Sequence, residues 1–179
     1  MVPEFRILRS LSIATSAVLV LLTFLWGAQA AWAGPLDFSS DDTVTITADR
    51  AWEAEEPNVI HFSGNFELHA PDWSTSGDTA VVYGNLDDPE RVVVEGNPAT
   101  VSFLRDSEGD TGSEERVDGE ASLVEYFRST DKLIMRGSSR LVREDSNLTS
   151  EIIEYNVETD RYSAGGEGRV NIEYTPDDN

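Results

Sequence analysis

The chain has two histidines, His61 and His69, eight residues apart in the segment Val59-Ile-His-Phe-Ser-Gly-Asn-Phe-Glu-Leu-His-Ala70. On an extended strand that even spacing puts both on one face, opposite Phe62. A zinc or other transition-metal site would need them closer together, with a third ligand. The sequence has no cysteine, which excludes both a disulfide framework and a thiolate metal site. Asp106-Ser-Glu-Gly-Asp110 is acidic enough to hold calcium, but its ligand spacing does not match an EF-hand loop. There is no G-x-S-x-G elbow and no G-x-x-x-x-G-K-[ST] phosphate cradle. Asn147-Leu-Thr149 matches a glycosylation sequon, a frequent chance match. Carboxylates are so abundant that no particular pair stands out. The expectation is a protein with no enzyme activity, no metal and no cofactor.

Charge narrows the function further. Against 34 Asp and Glu stand 13 Lys and Arg, a formal net charge of −21. A nucleic-acid binder needs a basic face, so that class is excluded. An acidic surface keeps a protein soluble and repels other anions.

The first segment predicts an export signal. Arg6 and Arg9 form a positive start, Leu11 to Trp26 is largely apolar, and Ala28-Gln-Ala30 and Ala31-Trp-Ala33 are small-residue cleavage patterns. This run of sixteen residues is short for a membrane span. Residues 1–33 are therefore predicted to be a cleaved signal peptide, cut after Ala33 or Ala30. Residues 34–179 then form a single exported domain destined for the periplasm.

Beyond position 40, apolar residues recur every second residue. Val44, Ile46 and Ala48 alternate in this way, as do Ile60 with Phe62, then Ala99, Val101 and Phe103. So do Leu133 with Met135, Ile153 with Tyr155, and Val170, Ile172 and Tyr174. Period two over many short runs means strands. Turn residues separate them at Glu56-Pro-Asn58, Gly84 to Pro89, Ser129-Thr-Asp131 and Glu158-Thr-Asp160.

A glycine recurs inside these strands, where it packs nothing and costs backbone entropy. Phe62-Ser-Gly-Asn-Phe66 resembles Val94-Glu-Gly-Asn-Pro98 and Met135-Arg-Gly-Ser-Ser139, with a looser copy around Gly168. The spacings of Gly64, Gly96, Gly137 and Gly168 are 32, 41 and 31. The long interval holds the polar tract Arg105–Arg116, read as an inserted loop. An aromatic residue (Trp52, Tyr83, Tyr126 or Tyr155) precedes each glycine by 11 to 13 residues. Repeated units bent at a glycine predict an all-β fold, a twisted β-jellyroll or two-sheet solenoid-like sandwich with open edges.

Five segments in order carry a family resemblance. They are Ile46-Thr-Ala-Asp49, Phe62-Ser-Gly-Asn65, Gly96-Asn-Pro-Ala-Thr100, Val117-Asp-Gly-Glu-Ala-Ser122 with Tyr126, and Gly137 followed by Asp145-Ser-Asn147. From about Val44 to Tyr155 the chain resembles the OstA-like family of LptA-type periplasmic lipopolysaccharide-transport proteins. The resemblance implies a β-jellyroll that houses lipopolysaccharide acyl chains in an apolar groove. It also implies partners: an inner-membrane protein of the LptC type, an outer-membrane protein of the LptD type, and a head-to-tail homo-oligomer, all joined by strand addition. Val44 and Ile46 match family positions near the groove, Val101 a lining residue that is smaller here, and Tyr126 an aromatic lining position. Alternation alone adds Phe62, Phe66, Leu68, Phe103, Leu133, Met135, Leu141, Ile153 and Tyr155, which serve equally well as ordinary core. Lipopolysaccharide is itself anionic, so long-range attraction to this chain does not drive capture. Acyl burial, at about 0.8 kcal/mol per CH₂, is the expected source of affinity.

Two other readings compete. A protein of the LptC type would keep residues 7–26 as an inner-membrane anchor. A carbohydrate-binding jelly roll would need an exposed aromatic platform, for which Trp73 beside Pro71 is the candidate.

Overall fold

A computed structural model describes residues 43–86, 88–106, 114–143 and 146–175. The predicted signal peptide and the middle of the predicted 105–116 loop lie outside the described residues. Ten strands follow one another: β1 (Thr45–Thr47), β2 (Arg50–Glu53), β3 (Val59–His69), β4 (Trp73–Asn85), β5 (Asp88–Asp106), β6 (Glu114–Phe127), β7 (Lys132–Arg143), β8 (Ser146–Asn156), β9 (Arg161–Gly165) and β10 (Asn171–Tyr174). The one helical element among the described residues is a single 3-10 turn, Arg128–Thr130. The described residues are all-β, as the alternation predicts.

The strands form one antiparallel sheet in the order β1-β3-β4-β5-β6-β7-β8-β10, with β2 also on β3 and β9 also on β8. Consecutive long strands pair as hairpins, and the sheet does not close. At each edge two short strands share one long neighbour. β1 pairs with Glu67–His69 of β3 and β2 with Ile60–Ser63. On the other side β10 pairs with Ser146–Thr149 of β8 and β9 with Ile152–Asn156.

The glycines mark where the sheet bends. Register slips between Ser63 and Phe66 on β3, between Glu95 and Ala99 on β5, and between Arg136 and Ser139 on β7. Each slip contains one of the predicted glycines and sits on alternate strands. Gly64 and Asn65 have φ of 80° and 49°, and Gly137 and Ser138 have 82° and 52°. These are paired left-handed residues that a Cβ disfavours. Gly96 has no positive φ, and its bulge includes the cis peptide Asn97–Pro98.

The fourth copy requires a correction. Gly168 lies outside the strands, with nothing near the place a Cβ would occupy. The equivalent residue is Gly166, φ 121°, at the end of β9. A Cβ there would clash with Glu151, as one on Gly137 would with Ser122 and one on Gly64 with Asp49. Each partner stands 15 residues earlier. Tyr126, Asp131 and Gly137 thus recur 29 residues on as Tyr155, Asp160 and Gly166. Both tyrosine hydroxyls donate to the aspartate five residues later at 2.8 Å.

The bends fold the sheet back on itself. In the β7–β8 hairpin Arg143 pairs with Ser146, nine residues before Tyr155. On a flat strand that is about 30 Å. Arg143 Nη1 nevertheless lies 2.5 Å from Asp160 Oδ1, which also accepts the Tyr155 hydroxyl. The two ends of β8 therefore face one another across an apolar interior. Phe66, Met135, Ile153 and Tyr155 are fully enclosed there. Each large apolar side chain so buried contributes about 1.5–3 kcal/mol.

Candidate functional site

The interior is built from the inward side chains of six long strands. Of the thirteen predicted lining residues, eleven are buried in it: Phe62, Phe66, Leu68, Val101, Phe103, Tyr126, Leu133, Met135, Leu141, Ile153 and Tyr155. Val44 and Ile46 are half-buried and pack against this cluster from the β1 edge. The same cluster contains Val82, Val92, Val94, Val117, Val124 and Leu148, which alternation did not single out. The reason is a change of parity at the bend. On β4, Trp73 and Thr75 face inward before it, and Ala80 and Val82 after it. β6 makes the same change from Ala121 to Val124, and β8 from Ser150 to Ile153. The run Val92-Val-Val94 carries no alternation signal at all.

Trp73 is 4 % exposed and belongs to this core, opposite Phe103 in the β4–β5 register. It is no platform for a sugar ring. The exposed aromatic on the other face is Trp52, stacked on His61 at 5.3 Å. His69 sits beside Glu67, 3.9 Å away.

The interior is packed rather than open. Most of its side chains are almost fully enclosed, so an acyl chain enters only if the two folded halves part. A cavity of about 260 Å³ opens on the outer face of β5, β6 and β7, with Thr100, Ser102, Asp118, Glu120, Arg140 and Val142 in its lining. Nearby, a row of cross-strand ion pairs covers that outer face: Lys132 with Glu154, Arg136 with Glu125 and Arg140 with Glu120. Glu125 points outward but is buried beneath Arg91 and Arg136, and Arg91 lies over the rings of Tyr83 and Phe127.

Where the far ends of the two halves meet, charge replaces apolar contact. Arg105 at the end of β5 and Arg143 at the end of β7 both reach Asp160 Oδ1 at 2.5 Å. Asp160 lies in the β8–β9 turn. Glu115 stands 3.7 Å from Arg105, and the Phe103 and Tyr155 rings lie 6.0 Å apart. Burial works to raise the Asp160 pKa, but hydrogen bonds from Arg105, Tyr155 and Arg143 outweigh it and hold the carboxyl below its usual range. Burial and the bond to Asp160 push the Tyr155 hydroxyl up to about 12. Burial lowers the pKa of both arginines, and their bonds to Asp160 overcome it and leave them raised. Arg105, Arg143 and Asp160 were not singled out as site residues. In sequence Arg105 stands 38 residues before Arg143 and 55 before Asp160, and only the fold brings the three together.

The edges continue the inward face. Ile46 pairs with Leu68, and Ile172 with Leu148, so both point the way their buried partners point. At the β9–β10 edge the apolar side chains are uncovered: Tyr162, Val170, Ile172 and Tyr174 are 41, 43, 54 and 63 % exposed.

Known proteins share this fold. The family model described as LptA/(LptD N-terminal domain) LPS transport protein matches residues 45–161. Among solved structures, the chain is similar to the crystal structure of LptH, described as the LptA-homologous periplasmic component of the lipopolysaccharide transport device from Pseudomonas aeruginosa. The TM-score is 0.63 at 16 % identity, over 75 % of this chain and 96 % of that one. No curated protein matches. The family match spans more than half of the chain, and the chain belongs to this lipopolysaccharide-transport family.

Proposed function

We propose that this member of the lipopolysaccharide-transport family is an exported periplasmic carrier. It shelters lipopolysaccharide acyl chains between the two folded halves of its sheet. It joins an inner-membrane component of the LptC type to an outer-membrane component of the LptD type, alone or as a head-to-tail oligomer. The observation that carries this reading is the inward apolar face. It runs unbroken from Val44 and Ile46 at one edge, through the core, to Ile172 at the other. Both terminal edges offer unpaired backbone to another strand. Residues 1–33 act as the cleaved signal. Among the described residues no helix is long and apolar enough to cross a membrane. An intact N-terminus on the purified protein would favour the anchored LptC-type role instead.

Photocrosslinking in cells tests the carrier reading. A crosslinking amino acid at Phe62 or Tyr126, both inward, is expected to capture lipopolysaccharide. One at Glu67 or Asp118, both exposed on the outer face, is expected to capture none. Equal capture from both faces, or none from an exported and folded protein, sinks the interior as a lipid site.

A further inference from the structure

In a chain of net charge −21, two cations converge on a single carboxylate oxygen. Asp160 Oδ1 receives Arg105, Arg143 and the Tyr155 hydroxyl together, at 2.5, 2.5 and 2.8 Å. Arginine forks suit carboxylate and phosphate oxygens alike. A phosphate oxygen placed where Oδ1 lies would meet the same two donors, Arg143 and the Tyr155 hydroxyl, and the charge of the Arg105 guanidinium beside them.

The surroundings suit an amphiphile. The arginines are largely covered, with side chains 10 and 21 % exposed, and belong to one half of the folded sheet. Asp160 is more exposed, at 27 %, and sits on a hairpin turn of the other half with φ 52°. Asp131, its counterpart 29 residues earlier, accepts from Tyr126 within its own hairpin. Asp160 does the same with Tyr155 and in addition spans the gap between halves. Its place is the rim of the interior, beside the Phe103–Tyr155 ring contact. An anionic headgroup held at this rim would leave its hydrocarbon chains directed into the apolar interior. Displacing Asp160 gives up its own contacts, but a turn residue can swing into water, and the arginines keep an anionic partner throughout. Glu115, 3.7 Å from Arg105, is a second carboxylate beside the site.

We propose that Arg105 and Arg143 form a binding site for the phosphate of a phosphorylated lipid headgroup, and that Asp160 occupies this site as an internal substitute until the lipid displaces it. Displacement then releases the contact that holds the two halves together, so recognition of the headgroup and opening of the interior are one event. This rests on the carrier reading.

The test compares binding of lipid A with binding of the same lipid after removal of its phosphates, in detergent, to the exported full-length domain. The ratio of the two affinities is the readout, because a change in fold stability moves both alike. Native protein is expected to prefer the phosphorylated lipid. Asp160→Asn removes the competitor and is expected to raise that preference by about tenfold, or about 1.4 kcal/mol. Arg143→Gln is expected to abolish the preference, and Arg143→Lys to restore part of it. If Asp160→Asn strengthens both lipids equally, the contact is only a latch and the headgroup site is overturned. An unchanged ratio in Arg143→Gln overturns it as well. Capture of inorganic phosphate without any preference for the phosphorylated lipid overturns the assignment to a headgroup. Native protein that binds both lipids equally sinks this inference alone, while native protein that binds neither sinks the carrier reading and this one with it.

Discussion

The two edges of the sheet are built alike and finished differently. Each has two short strands laid along one long one, with a break beside a left-handed glycine. At the β1–β2 edge the break is stitched. The Asp49 amide donates to the Gly64 carbonyl at 2.8 Å, and Asn65 donates to the Asp49 carboxylate at 3.1 Å. Val44, Ile46 and Ala48 tuck onto the core. At the β9–β10 edge, Val170, Ile172 and Tyr174 stand in solvent, and the nearby contact between halves is ionic. A seam closed by apolar packing opens at the cost of exposing hydrocarbon to water. A seam closed by ion pairs can exchange one partner for another. If the ionic seam is the one that exchanges partners, the side that opens is the β9–β10 edge.

The comparison is sharpest at the core, which both edges share. Phe66→Ala removes a fully enclosed ring and is expected to cost about 3–5 kcal/mol, lowering the melting temperature by about 10–20 °C. A loss under 1 kcal/mol in calorimetry or denaturant titration would mean the interior is already loose in the empty protein. The two halves would then need no latch.

Next in size is the ionic contact itself. The Asp160 carboxyl is held below its usual range, so the native state favours its ionised form. That stability is present above pH about 4 and is lost as pH falls through the lowered folded value. The Tyr155 hydroxyl is raised to about 12, so its share is complete below pH about 10 and disappears between pH 10 and 12. Native protein is expected to lose melting temperature at both extremes. Asp160→Asn is expected to cost about 1.5–3 kcal/mol near neutrality and to flatten the acid limb. An acid limb of unchanged slope in that variant would remove Asp160 as the group responsible.

Third come the bends. Gly137→Ala forces a Cβ onto a left-handed residue 2.8 Å from Ser122 Oγ and is expected to cost about 1–3 kcal/mol. Gly168→Ala meets nothing and is expected to stay within about 0.5 kcal/mol of native. Equal costs would restore Gly168 to the repeat and undo its replacement by Gly166.

What the sequence revealed, and what it hid, follows the same division. Period two exposed strands whose core pattern is local, such as Leu133 with Met135 and Ile153 with Tyr155. It missed Val82 and Val124, because a bulge on the neighbouring strand changes which parity faces inward. It offered Trp73, beside Pro71, as the platform that a carbohydrate-binding jelly roll would need, although the register seats it opposite Phe103. The glycines were legible because their residue type is scarce in strands, and Gly168 was mistaken for Gly166 because three glycines crowd residues 165–168. The Arg105–Arg143–Asp160 contact had no signal to find. Arg105 looked like the start of a loop and Asp160 like a turn residue. Only a sheet folded back on itself brings residues 55 positions apart onto one oxygen.

The smallest expected effect on stability bears most directly on the edges. Ile172 is 54 % exposed on a four-residue strand, so Ile172→Ser is expected to change unfolding free energy by under about 1 kcal/mol. Ile46→Ser, at the matching place opposite Leu68, is expected to cost about 1–2 kcal/mol, because Ile46 already packs on the core. In capture the order should reverse. An apolar side chain left in solvent gains its burial energy only when a partner strand or acyl chain covers it, so Ile172→Ser should weaken self-association or lipid capture while leaving the isolated domain intact. Sedimentation and lipid-binding assays on the two variants decide the matter. If both lose stability and association in the same proportion, the two edges are equivalent and the β9–β10 side has no separate role.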